Sequence, residues 1–120
     1  MGPAIKTLTR RSVVPVRLDI DVNRRLPEST EAAAYYVIAE ALTNTAKHAE
    51  ASEVTVRAGF DGDTLKLEVA DDGIGGAAPG GGTGLIGLKD RVEALSGSLE
   101  VASPAGGGTV VIARIPVHAD

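Results

Sequence analysis

Eight of the fifteen glycines in this 120-residue chain fall between Gly73 and Gly87. Glycine loses more backbone entropy on ordering than any other residue, so a run this dense ends the element that enters it. The chain is thereby divided into a segment before residue 73, a glycine-rich loop, and a segment that restarts near residue 85. Asp71-Asp72 stands at the entrance, at the end of an apolar run, and Gly84-Leu85-Ile86-Gly87-Leu88 forms the exit into a helix. A backbone so free of side chains can approach a ligand closely. The helix N-terminus that follows suits phosphates, and a carboxylate at the entrance suits a base edge. At this point the chain reads as a nucleotide site.

The flanking segments have clear periodicities. Val16, Leu18, Ile20 and Val22 alternate with Arg17, Asp19 and Asp21, which predicts a half-buried strand. Pro27-Glu28-Ser29-Thr30-Glu31 has the chemistry of a helix start, and the helix is expected to run on from there through Ala32 to about His48. Its apolar stripe is Ala34, Val37, Ile38, Ala41, Leu42 and Thr45. Strands are expected over 54–60 and 64–70, joined by the hairpin turn Asp61-Gly62-Asp63. After the loop at 72–84, a helix over 85–95 carries Leu85, Leu88, Val92 and Leu95, and Ser96-Gly97 ends it. Two further strands, 98–102 and 109–116, flank the turn Pro104-Ala105-Gly106-Gly107-Gly108.

Consecutive hairpins make neighbouring strands antiparallel, which excludes a doubly wound parallel sheet. The expected fold is an α/β two-layer sandwich, with both helices on one face of a mixed, mostly antiparallel sheet. In domain terms, residues 1–12 read as a cloning remnant or linker with a short helix over 4–12. Residues 13–117 read as one domain and residues 118–120 as a tail.

Composition narrows the function. Phe60, Tyr35 and Tyr36 are the only aromatics, and the net charge is −4. Stacking on bases and a clustered cationic surface are therefore poorly supplied, which argues against a nucleic-acid binder. The absence of cysteine excludes disulfides, zinc-thiolate sites and thiol nucleophiles. No apolar run approaches a membrane span, and no signal peptide is visible.

Two constellations remain. Glu40, Asn44 and His48 recur at every fourth residue with Lys47 beside them. Steps of four rotate by only about 40°, so these groups share one helix stripe. That set suits a hydrated magnesium ion with attached phosphates, since magnesium needs only one or two protein oxygens. An ordinary solvated helix face has the same look. Asp71 at a strand exit can accept a hydrogen bond from an exocyclic amine, although Asp-Asp-Gly is also a common turn. Gly82-Thr83-Gly84-Leu85-Ile86-Gly87 matches the dinucleotide fingerprint literally, but the stretch before it cannot be a buried strand, so that reading is rejected. A P-loop is absent. His48 and His118 are too far apart in sequence to suggest a metal pair.

In this order the segments resemble the ATP-binding catalytic domain of two-component sensor histidine kinases. Glu40-Ala41-Leu42-Thr43-Asn44-Thr45-Ala46-Lys47-His48 looks like the family's N box, and Asp71-Asp72-Gly73-Ile74-Gly75 its D-x-G-x-G box. Gly82-Thr83-Gly84-Leu85 with Gly87-Leu88 is similar to the second glycine box, and Gly108-Thr109 to the terminal Gly-Thr. The resemblance covers residues 13–117. The short loop and the run over 87–101 resemble the nitrate-sensor-like subfamily, and the fold implied is the one shared with gyrase and Hsp90.

The resemblance implies ATP and Mg2+ as cofactors. Asn44 would ligate the metal, Glu40 would act catalytically by orienting metal-bound water, and Lys47 and His48 would contact phosphates. Asp71 would accept from the adenine amine, assisted by Thr109 through water. Gly73 and Gly75 would turn the chain around the base with Ile74 nearby, and Gly82, Thr83, Gly84 and the N–H of Leu85 would cap the phosphates. The phosphoacceptor histidine would sit on a separate dimerisation domain of the parent protein, with a response regulator as indirect partner. The fragment would be monomeric and cytoplasmic, and its parent could be membrane-anchored. An anti-sigma-factor-type serine kinase is one alternative. A nucleotide-binding scaffold without kinase activity is another.

Overall fold

In the computed structural model, residues 6–7, 10, 15–22, 25–44, 53–73, 83–102 and 108–117 are described. The alternating segments become strands β1 (Val16–Ile20), β2 (Val54–Asp61), β3 (Thr64–Asp71), β4 (Ser98–Ala102) and β5 (Thr109–Pro116). The helices are α1 (Glu28–Asn44) and α2 (Thr83–Glu93). The strands form one sheet in the order β1-β2-β3-β5-β4. Only β1 and β2 are parallel, with α1 in the connection between them. The remaining pairs are antiparallel, as the hairpin signals require.

Register explains the core. Val56 pairs with Val69, and Val69 with Val111. Ala58, Leu67 and Ala113 form the next row. Side chains alternate between faces along a strand, so these rows lie on one face, and all are buried. Ala34, Val37, Ile38, Ala41 and Leu42 of α1, with Leu88 and Val92 of α2, complete the same cluster. The opposite face carries charged cross-strand neighbours: Arg57 and Glu68 approach to 3.6 Å, and Arg114 and Glu100 to 3.5 Å. Tyr36 braces the helical layer from outside, with the Arg91 guanidinium of α2 4.2 Å above its ring. Among the described residues, no helix is long and apolar enough to cross a membrane.

Some boundaries differ from expectation. β1 stops at Ile20, although Asp21 still donates its N–H to the Ala58 carbonyl at 2.8 Å. β3 extends to Asp71. α1 begins at Glu28, inside the start expected at 27–31, where the Pro27 carbonyl accepts the Glu31 N–H and closes the first turn. α2 starts at Thr83, two residues before the expected Leu85, and stops at Glu93. The first four N–H groups of a helix have no partner inside it, so a glycine there sacrifices less than one further in. Thr83 and Gly84 thus belong to the first turn of α2 and not to the loop. Leu95, Ser96 and Gly97 turn their N–H groups back on the end of α2, with Ser96 at φ 63°. Of the helix expected over 4–12, Lys6, Thr7 and Arg10 are helical and exposed, and the rest lies outside the described residues.

Candidate functional site

Asp71 closes β3. Its register partners are Val54, the first residue of β2, and Thr109, the first residue of β5. Val16, which opens β1, pairs with Val54. One end of the sheet therefore gathers the starts of β1, β2 and β5 and the finish of β3. The side-chain Oδ1 of Asp71 accepts the N–H of Gly73 at 2.9 Å and the N–H of Thr109 at 3.2 Å. The first bond is an Asx-type turn, which the Asp-Asp-Gly signal anticipates. The second spans 38 residues, and no local turn explains it. Two backbone donors on one oxygen orient a half-buried carboxylate.

Gly108 makes this approach possible. Its φ is +79°, and a Cβ there would press on the carbonyl oxygen of Asp71. Glycine meets both demands, the left-handed backbone and the close contact. Gly73 is also buried.

The second constellation rides on α1. Because β1 and β2 are parallel, the connection must bring the chain back to the end of the sheet where Asp71 lies. α1 carries that return, and Glu40 and Asn44 occupy its closing turns. Ala41 and Leu42, between them, are buried in the core, which fixes the rotation of the helix. Glu40 is half-buried. The Thr43 hydroxyl is taken up by the Ala39 carbonyl at 2.9 Å. Lys47, His48, Ile74, Gly75 and Gly82 lie outside the described residues. Thr83, Gly84 and Leu85 form the first turn of α2.

Among the candidates, the structure brings Asp71, Gly73 and Thr109 together and sets Glu40 and Asn44 in one helical stripe. Three contributors were not singled out from sequence. Gly108 was visible only as half of the Gly-Thr pair. Asp72 was visible only as a box position. Glu53 carried no signal at all, yet it exchanges hydrogen bonds with Asp72 and pairs with Arg17 at 3.3 Å. The half-buried carboxylate of Glu40 and the oriented carboxylate of Asp71 are oxygen acceptors of the kind that a magnesium-nucleotide calls for. A separate shallow cavity of about 390 Å³ lies on the charged face of the sheet, lined among others by Asp19, Arg57, Gly59, Lys66 and Glu68. Its interleaved charges of both signs do not repeat the site's chemistry.

The family model for histidine kinase-, DNA gyrase B- and HSP90-like ATPases matches residues 29–119. The signal transduction histidine-protein kinase/phosphatase DegS of Brevibacillus brevis is 36% identical over 101 residues, covering 82% of this chain and 26% of DegS. The nitrate/nitrite sensor protein NarX of Escherichia coli (strain K12) is 39% identical over 107 residues, covering 85% of this chain and 18% of NarX. The chain thus spans roughly a quarter or less of the length of these relatives. Among solved structures, the histidine kinase domain of the blue-light activated kinase EL346 of Erythrobacter litoralis aligns with a TM-score of 0.78 at 27% identity, covering 97% of this chain and 57% of that chain. The mycobacterial sensor histidine kinase MprB aligns with a TM-score of 0.70 at 21% identity, covering 99% of this chain and 93% of that chain, a likeness of fold.

Proposed function

Because the chain belongs to the histidine kinase-, DNA gyrase B- and HSP90-like ATPase family, as a catalytic domain of the histidine kinase kind, we propose that it binds Mg-ATP and delivers the γ-phosphoryl group to a histidine on a separate domain of its parent. The observation that carries the reading is the pair of backbone N–H groups on one oxygen of Asp71. A carboxylate oriented in this way accepts a hydrogen bond from the adenine amine and selects adenine over bases without that donor. Thr109 supports it from β5, Gly73 and Gly75 carry the chain around the base, and Ile74 packs nearby. Asn44 supplies an oxygen to Mg2+, and Glu40, one turn earlier, orients metal-bound water. Lys47 and His48 neutralise phosphate charge, and Gly82, Thr83, Gly84 and Leu85 present N–H groups from the start of α2.

Phosphoryl transfer depends mainly on positioning and charge neutralisation, so these residues need no covalent role. Magnesium, when bound, offsets the charge of the phosphates. The domain proper is residues 13–117, with the acceptor histidine on the parent's dimerisation domain and a response regulator receiving the phosphoryl group downstream. We place this activity in the cytoplasm. The named relatives are sensor-type kinases, so the serine-kinase alternative is not favoured.

Calorimetric titration with ATP, with and without Mg2+, tests the reading. Asp71→Asn keeps an oxygen for the Gly73 and Thr109 donors but turns an NH2 group toward the adenine amine. Loss of a charge-assisted hydrogen bond corresponds to roughly 10- to 100-fold weaker binding. Unchanged affinity in a folded Asp71→Asn variant would leave Asp71 as a turn residue only.

A further inference from the structure

Asp72 has no ligand role in this scheme, yet it makes the tie at the point where the chain leaves the sheet. Its N–H donates to the Glu53 carbonyl at 3.4 Å, and its Oδ1 accepts the Glu53 N–H at 3.0 Å. These bonds continue the β2–β3 ladder one step beyond the Val54–Asp71 pair. In a continuing strand the backbone carbonyl of residue 72 would accept the second bond. Here a side-chain oxygen does so. The ladder is therefore extended while the backbone turns away toward Gly73. That turn brings the Gly73 N–H back onto the Asp71 carboxylate at 2.9 Å.

Glu53 is itself anchored. Its carboxylate meets Arg17 of β1 at 3.3 Å, and the next residue, Val54, donates its N–H to the Pro15 carbonyl at 2.9 Å. Glu53 also ends the connection that carries Lys47 and His48 into β2. Asp72 is thus held from the β2 side by Glu53, and the N–H of the following Gly73 is held from the β3 side by Asp71.

We propose that Asp72 is a positioning residue: by bonding Glu53 it fixes the peptide whose N–H orients the Asp71 carboxylate, and so sets nucleotide affinity without touching the nucleotide. The inference rests on the reading of Asp71 as the adenine acceptor. The test is Mg-ATP affinity by calorimetry for Asp72→Ala, Asp72→Asn, Asp71→Asn and the double variant Asp71→Asn/Asp72→Ala, with thermal midpoints measured without nucleotide. Asp72→Ala is expected to bind about fivefold more weakly, the range of one lost hydrogen bond. Asp72→Asn, which keeps the Oδ1 acceptor, is expected to return within about twofold of wild type by the same reasoning. Because Asp72 acts through Asp71, the double variant should bind no more weakly than Asp71→Asn alone. A purely structural role would lower the midpoint and produce additive losses.

Wild-type affinity in Asp72→Ala, equal losses in Asp72→Asn and Asp72→Ala, or additivity in the double variant would each overturn the proposal. If Asp71→Asn binds like wild type, the reading of Asp71 fails first and the inference fails with it. Should Asp72→Ala not fold, Asp72→Glu serves instead. It keeps the charge, displaces the carboxylate by one methylene, and is expected to show the same loss.

Discussion

At Gly108 two requirements meet in one residue. Its backbone is left-handed, at φ +79°, and the space where a Cβ would stand is occupied by the Asp71 carbonyl. Gly108→Ala must therefore strain the backbone and push β5 away from the end of β3. The strain alone costs about 1 kcal/mol. The displacement also lengthens the Thr109 bond to Asp71. We expect Gly108→Ala to lower the thermal midpoint and to weaken ATP binding together, whereas alanine at Gly62 should affect only stability. Gly62 shares the positive φ, at 63°, but a Cβ there meets nothing within 4 Å. Thermal melts and titrations on the two variants separate the effects. Asp71 was legible in the sequence as a carboxylate at a strand exit, and Thr109 only through the resemblance of Gly108-Thr109 to a family box. The bond between them was not, because it joins residues 38 apart and exists only once β3 and β5 pair.

At the scale of elements, periodicity was a sufficient guide to type, and termini were where it failed. The alternation over 16–22 continues past Ile20 in the sequence, but pairing of β1 with β2 ends at the Ile20–Ala58 pair. α2 begins earlier than its apolar residues indicate, because a helix start is set by backbone bonds and not by the stripe. Its other end shows the balance of local forces clearly. Gly97 donates to the Val92 carbonyl at 3.0 Å and Ser96 to Glu93 at 3.0 Å, an arrangement that closes a helix through a left-handed residue. Here that residue is Ser96, at φ 63°, and not the neighbouring glycine. Gly97 is needed for a different reason: a Cβ would press on the Arg114 carbonyl and lie 2.8 Å from Cγ1 of Val92. Ser96→Gly should therefore stabilise the domain by roughly 0.5–1 kcal/mol by relieving the left-handed penalty. Gly97→Ala should destabilise it by roughly 1–3 kcal/mol, the range for overpacking. Chemical denaturation of both variants checks the opposite signs.

For the whole molecule, one core serves both layers, so stability is set there, apart from the residues assigned to the site. Ile38 is fully buried between α1 and the sheet. Ile38→Ala should cost about 2–5 kcal/mol, read as a lower denaturant midpoint with an unchanged slope. Folded Ile38→Ala protein should retain ATP binding, since Ile38 faces the core and Glu40 and Asn44 lie on the adjoining stripe.

Catalysis has a different requirement from folding and from binding. A γ-phosphoryl group held at this site needs an acceptor brought in line with it. In the proposed scheme His48 is committed to phosphate contact, so the acceptor is expected on another domain. DegS and NarX are far longer than the segment they share with this chain, which leaves room in such proteins for an acceptor domain. The isolated chain is accordingly expected to bind ATP as a monomer and to accumulate no acid-labile phosphate when incubated with γ-labelled Mg-ATP. Adding the parent's dimerisation domain should produce label on that domain, at a rate that rises with its concentration and vanishes in Asn44→Asp, where a second carboxylate beside Glu40 repels the phosphates. Stable label on the isolated chain would place the acceptor within these residues and refute the division of labour between holding the nucleotide and receiving its phosphoryl group.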